Sequence, residues 1–341
     1  MKNVVLAFLC MTLAFSCTSN MHPGKPIVNI IFDTDIGNDV DDAIAMDLLY
    51  KYADDGLINI LAEGISKEGQ APAEYMDILN NWYGYRNIPI GIITGGADCE
   101  TDAVNYAKAV NLLTNADNAP LFKRTEGMEY DALPQAHILY RKILAESEDN
   151  SVTFVTVGFS TNLARLLDTQ ADEYSSLTGR QLVEKKVKAL IMMAGCFDGS
   201  LPSEYNVLKD ISSAQKVVNE WPSSIVFAPF ELGIRVCYPA TSIDEDFSWT
   251  DSHPLVESYK SYLPMPYDRP CWDPAALIYA VEGDSWFNVS SAGTISISDS
   301  GMTTFKENKE GKHRYLSVNE SQASALKEHI VNIVARIPEH H

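Results

Sequence analysis

The stretch Ile31-Phe32-Asp33-Thr34-Asp35-Ile36-Gly37-Asn38-Asp39-Val40-Asp41-Asp42 opens the part of the chain that reads as folded. An apolar, β-branched run at 27–32 leads into it, and a segment with helical periodicity, 42–52, follows. The passage is therefore read as strand, loop and helix. The same alternation recurs, with candidate strands at 58–64, 88–93, 152–157, 187–193 and 224–228. Helix-length segments lie between them at 71–83, 134–145, 162–167 and 212–221. Strand–helix alternation predicts an α/β fold, a single large domain whose mostly parallel sheet is flanked by helices. Ligands bind such sheets outside the carboxyl ends of the strands, so the chemistry is expected in the loops that leave those ends.

The first of those loops is the most informative. Asp33, Asp35, Asp39, Asp41 and Asp42 fall within ten residues. Crowded carboxylates raise one another's pKa and destabilise a fold unless a cation offsets them. Helix capping accounts for one or two aspartates at this place, not for five. Several carboxylate oxygens around one point suit a hard cation such as calcium or magnesium. An EF-hand starting at Asp33 is excluded, because its sixth and twelfth places hold Asn38 and Ile44 where Gly and Glu are needed. Haloacid-dehalogenase-like phosphatases also place D-x-D after a first strand, but Gly37 stands where they carry Thr or Val.

Composition sets the outer limits. The 341 residues include 46 acidic and 26 basic ones, a formal charge of −20. That balance argues against nucleic acid as a partner, since phosphate neutralisation needs clustered Lys and Arg. Most of the acid is read as solvated surface. At the N-terminus, residues 1–16 resemble a signal peptide, with Lys2 ahead of an apolar run at 4–15 that is too short to span a bilayer. Leu13-Ala14-Phe15-Ser16-Cys17 resembles a bacterial lipobox, with Cys17 as the acylated first residue of the mature chain and 17–26 as a polar tether. Plain secretion is the alternative. The expected location is the bacterial cell envelope, with the membrane touched only through a lipid anchor. Cys99, Cys196, Cys237 and Cys271 have no metal or redox spacing and are expected to be buried free thiols.

The aspartate loop resembles the signature of the inosine-uridine nucleoside hydrolase family, D-[TC]-D-x-G-x-D-D-A, with two extra loop residues. Further stretches resemble that family in order: Gly158-Phe159-Ser160-Thr161-Asn162-Leu163-Ala164, Met193-Ala194-Gly195, Glu204-Tyr205-Asn206, the segment Asp210 to Ala214, and Arg269-Pro270-Cys271-Trp272-Asp273-Pro274. The motifs cover about residues 27–285, and the domain is expected to span 27–338. The resemblance implies a Rossmann-like nucleoside hydrolase fold and a calcium ion held by Asp35, Asp42, Asp273 and the main-chain carbonyl of Thr161. It implies Asp35 as general base for the attacking water. Asp41, with Asp39 as its rival, and Glu204 and Asn206 would hold the ribose hydroxyls. The substrate would be a small nucleoside or riboside, and a homo-oligomer is left open.

This chain departs from the family pattern in two places. Trp272 stands where many members carry a histidine that protonates the leaving base. An indole N–H only donates, so Trp272 cannot serve as that acid; it either stacks on a nucleobase or packs in the core. His137 and His253 are alternative acids or ordinary core and surface residues. Tyr259, Tyr262 and Tyr267 are read either as an aromatic lid or as loop packing. After the second strand, Ser66 roughly replaces an Asn that touches ribose. Three functions therefore compete: a calcium-dependent hydrolase of the N-glycosidic bond, a surface module that binds nucleosides or sugars without cleaving them, and hydrolysis of another substrate class on the same fold.

Overall fold

The structure, a computed structural model, describes residues 26–97 and 105–340. The expected leader, Cys17, nearly all of the tether, and Cys99 lie outside the described residues. Six strands form the parallel block: β1 (Val28–Thr34), β2 (Ile58–Ile65), β3 (Ile90–Gly91), β4 (Val152–Thr156), β5 (Val187–Met193) and β6 (Ser224–Ala228). Their order is β3-β2-β1-β4-β5-β6. The chain builds outward from β1 to one edge and then returns to build the other, so the topological switch lies between β1 and β4. Strand alternation divides the core. Ile30 and Phe32 point into one apolar cluster and Ile31 into the other, each fully buried. Each such side chain contributes roughly 1.5–3 kcal/mol on burial.

Helices Asp41–Asp54, Gln70–Trp82, Pro254–Tyr262, Trp272–Glu282 and Glu320–Val334 cover the first face. Helices Ala136–Glu146, Thr161–Asp168, Gly179–Lys186 and Ile211–Glu220 cover the second. None of the described helices is long and apolar enough to cross a membrane. The expected third strand shrinks to two residues at the sheet edge. Pro89 has no N–H to give to a ladder, and only its carbonyl is used, by Glu63.

The sequence predicts no elements after residue 228; besides the helices and short ribbon up to Glu282, the C-terminal segment holds further strands. The structure finds β9 (Asn288–Val289), β10 (Gly293–Ile297), β11 (Thr303–Glu307) and β12 (His313–Ser317) there. β12 joins β6 in parallel, while β10 pairs antiparallel with β11 and β12, and β9 antiparallel with β12. A two-residue ribbon, β7 (Cys237–Tyr238) with β8 (Arg269–Pro270), stands apart from the main sheet and carries the chain toward Trp272. Cys196, Cys237 and Cys271 are free thiols; Cys196 and Cys271 are buried and Cys237 is half-buried.

Candidate active site

A cavity of about 340 Å³ opens at the carboxyl edge of the parallel block. It is built from the loops that leave β1, β4, β5 and β6 and from the start of helix Trp272–Glu282. Eight of the ten residues singled out from sequence line it: Asp35, Asp39, Asp41, Asp42, Glu204, Asn206, Trp272 and Asp273. The aspartate loop turns at Gly37, whose φ of +113° an L side chain rarely adopts. Thr34 donates its hydroxyl to Asp42 and receives the Ile36 N–H at 3.1 Å, which closes the loop onto the end of β1.

Each acid has a distinct setting. Asp41 Oδ2 accepts the main-chain N–H groups of Trp272 (2.9 Å) and Asp273 (3.1 Å). It thereby ties the start of one helix to the start of another. Asp39 forms a two-point ion pair with Arg269, with Nε to Oδ1 at 2.7 Å. Asp35 Oδ2 accepts from Asn38 Nδ2 at 3.0 Å. Glu204 accepts from the N–H groups of Asn206 (2.7 Å), Val207 (3.1 Å) and Gly195 (3.3 Å). Asn206 Nδ2 donates to the carbonyls of Val157 (2.9 Å) and Met193 (3.2 Å).

Burial dominates the electrostatics. Asp35 is pushed up to about 6 by desolvation, opposed by Asn38 and the nearby Lys67. Desolvation lifts Asp42 and Asp273 well above the carboxylate range, and the neighbouring aspartates add to it. Asp41 rises for the same reasons, with Asp39 the nearest repulsive charge. Glu204 rises to about 7 through burial, moderated by its three backbone donors. Buried acids that repel one another are a donor set suited to a cation.

The apolar wall comes from Trp272, Phe230 and Tyr262. Trp272 stacks on Phe230 with centroids 5.6 Å apart and gives its indole N–H to the Phe230 carbonyl at 3.0 Å. Gly233 permits this seat, because a Cβ there would lie 2.1 Å from Trp272 Cδ1. Arg269 lies over the rings of both Tyr262 and Trp272, at 5.0 and 5.3 Å.

Several sequence expectations need correction. Thr161 does not reach the cavity. By that residue the chain has already turned into helix Thr161–Asp168, and its hydroxyl is bound to Asp210 on a separate depression. Val157, which directly follows the last residue of β4, lines the cavity instead, and its carbonyl accepts from Asn206 Nδ2. Ser66 is also turned away. It is fully buried, accepts the Phe159 N–H at 3.1 Å, and ties two loops together beneath the cavity. Asp35, Asp42 and Asp273 surround one cavity but do not close to mutual ligand spacing. Among the described residues, the group with ligand atoms all within 4.8 Å of one another is Cys196, Asp198 and Glu231, outside the cavity lining.

Of the tyrosines, Tyr262 lines the cavity, whereas Tyr259 is fully buried and stacked on Tyr267. His253 is buried and accepts the Leu255 N–H at the start of helix Pro254–Tyr262. Neither His253 nor His137 lines the cavity. Sequence reasoning overlooked Asn38, Val157 and Phe230. Val157 and Phe230 follow the ends of β4 and β6 within two residues, a position that marks the carboxyl edge.

Solved structures of the same fold cover nearly the whole chain. A plant nucleoside hydrolase aligns with a TM-score of 0.68 at 17% identity, over 90% of this chain and 99% of that one. The inosine-guanosine nucleoside hydrolase gives 0.68 at 16%, over 91% and 99%. The inosine-uridine preferring nucleoside hydrolase from Bacillus anthracis gives 0.66 at 15%, over 91% and 100%. No curated protein sequence matches the chain. The sequence family described as inosine-uridine preferring nucleoside hydrolase matches residues 30–332, and with it the chain belongs to that family of N-glycosyl hydrolases.

Proposed function

We propose that the protein is a calcium-dependent ribonucleoside hydrolase that releases free base and ribose. The observation that carries this reading is that one cavity is lined both by buried acids and by the aromatic side chains of Trp272, Phe230 and Tyr262. The reaction adds water to C1′ and breaks the C1′–N bond, whose electron pair leaves with the base. Asp35 takes the proton from the water. Asp41, Asp39, Glu204 and Asn206 hold the ribose hydroxyls and stabilise the positive charge that develops on the sugar. Trp272 stacks on the base.

Asp35, Asp42, Asp273 and the Val157 carbonyl are the groups that would hold the cation. When bound, calcium supplies the positive charge that keeps these carboxylates ionised and orients the sugar. Among the described residues, no histidine, lysine or cysteine lines the cavity. Apart from the carboxyls, Tyr262 and Tyr205 are then the described lining residues with a titratable O–H. This lack of a stronger acid also favours a second reading, capture of a nucleoside without cleavage.

The deciding experiment incubates the protein, with calcium, with a panel of purine and pyrimidine nucleosides and measures free ribose. Release from at least one nucleoside, lost in Asp35→Asn, supports hydrolysis. Micromolar binding by calorimetry with no ribose released supports capture instead.

We further propose that the chain is exported and anchored through Cys17, on the strength of Lys2, the apolar run at 4–15 and the lipobox-like residues 13–17. Intact mass of the mature protein checks this. A lipid-bearing Cys17 at the N-terminus is expected, and an unmodified Cys17, or a chain that retains residues 1–16, overturns it.

A further inference from the structure

Lys67 follows β2 and is 1% exposed, an unusual place for a charge. Its side chain passes the turn at Gly37, with Cδ 3.9 Å from where a Cβ on that glycine would lie. Its ammonium donates to Asn38 Oδ1, and Asn38 Nδ2 in turn donates to Asp35 Oδ2 at 3.0 Å. The direction of this chain is fixed by chemistry. An ammonium only donates, so the carbonyl end of Asn38 must face Lys67 and the NH₂ end must face Asp35. With the amide turned over, its oxygen would oppose the Asp35 carboxylate.

We infer that Lys67 and Asn38 are positioning residues for Asp35. Lys67 selects the amide orientation, and Asn38 transmits it by holding one carboxylate oxygen. The second oxygen is then the one that meets the proposed cation and the water. Neither side chain exchanges a proton with substrate. Both act by keeping Asp35 in one rotamer among neighbours that would otherwise push it aside. Asn38 belongs to the loop that is two residues longer than the family signature, so the added loop brings its own brace with it. Outer partners of this kind typically affect activity by roughly 10–100-fold.

The inference rests on the proposed hydrolysis, with Asp35 as its base. The test uses the full chain with calcium and the nucleoside that wild type cleaves fastest. It compares wild type, Lys67→Met, Asn38→Ala and the double variant. The expected result is a roughly 10–100-fold fall in kcat for each single variant, with KM within about threefold of wild type. Because Lys67 acts through Asn38, the double variant should lose no more than the worse single variant.

Wild-type kcat in Lys67→Met, a raised KM with kcat unchanged, or losses that multiply in the double variant would each overturn the inference and leave the hydrolysis standing. Should Lys67→Met fail to fold, Asn38→Ala decides alone, since Asn38 is only half-buried. Its kcat must fall at unchanged KM and melting temperature. A wild type that cleaves no nucleoside removes the hydrolysis and this inference together.

Discussion

Two sets of buried acids share the helix Asp41–Asp54, and they are treated in opposite ways. Midway along it, Asp47 is paired with Lys51 at 2.8 Å and receives the Tyr83 hydroxyl. Lys51 also donates to the Val334 carbonyl, which fastens the last helix to the first. Nearby, Glu63 receives the Tyr50 hydroxyl at 3.1 Å and Asn80 Nδ2 at 2.7 Å. At the start of the same helix, Asp41 and Asp42 face Asp35 and Asp273, and each raises the others' affinity for protons. Acids that serve the fold come with donors or a cation built into the chain. Acids that serve the cavity also have donors, among them Asn38, Thr34 and two main-chain N–H groups, but they face one another as well, and that remaining repulsion is left to what binds there.

Four measurements break or sharpen that contrast. The largest effect is expected from Asp35→Asn, which should lower kcat by roughly 10²–10⁴-fold at saturating calcium while thermal unfolding moves little. An active Asp35→Asn enzyme would remove Asp35 from the chemistry. Lys51→Met should do the reverse. Leaving Asp47 buried without its cation is expected to destabilise the protein by about 3–5 kcal/mol in chemical unfolding, with kcat of the folded enzyme unchanged. Loss of turnover at unchanged stability would mean the two acid sets are not separate.

Calcium should stabilise wild type by about 2.7 kcal/mol at roughly 100 times its Kd. A chelator should reverse the shift, and Asp273→Asn should abolish it. Identical melting curves with calcium and with chelator would sink the metal assignment. The smallest effect, counted per pH unit, concerns Glu63, whose pKa burial raises to about 8. A carboxyl raised in the folded state contributes its stability below its ordinary pKa, near 4.5, and loses it as pH climbs through 8. In Glu63→Gln the decline of stability between those values should flatten, by up to about 1.4 kcal/mol per pH unit. An unchanged slope would show that Glu63 keeps its ordinary pKa.

How far the sequence could be read follows from where each signal resides. β5 and β6 are legible to the residue because they are short, mostly apolar runs with Lys186 or Ser223 before them and the breakers Gly195 or Pro229 close after them. The aspartate loop is legible because its density of charge has no local explanation. Val157 was hidden, because a backbone carbonyl carries no side-chain signature and its place depends on where β4 stops. Ser66 looked like a ribose ligand because it stands roughly where the family carries an Asn that touches ribose, yet its hydroxyl is taken by the Phe159 N–H. The strands after residue 285 are short and rich in Ser and Thr, and their identity as strands comes from pairing, β12 with β6 and the others with β12 or β10, rather than from their own composition. Lys67 gave no signal, since only the folded loop brings Asn38 over it.

The direction of β1 has a consequence for how the molecule meets its surroundings. β1 enters the sheet at Val28 and runs seven residues, about 23 Å, to the cavity edge at Thr34. Whatever precedes residue 26 therefore attaches at the end of the sheet remote from the cavity. A protein fastened through its N-terminus would carry its point of attachment at the sheet end away from the aspartates.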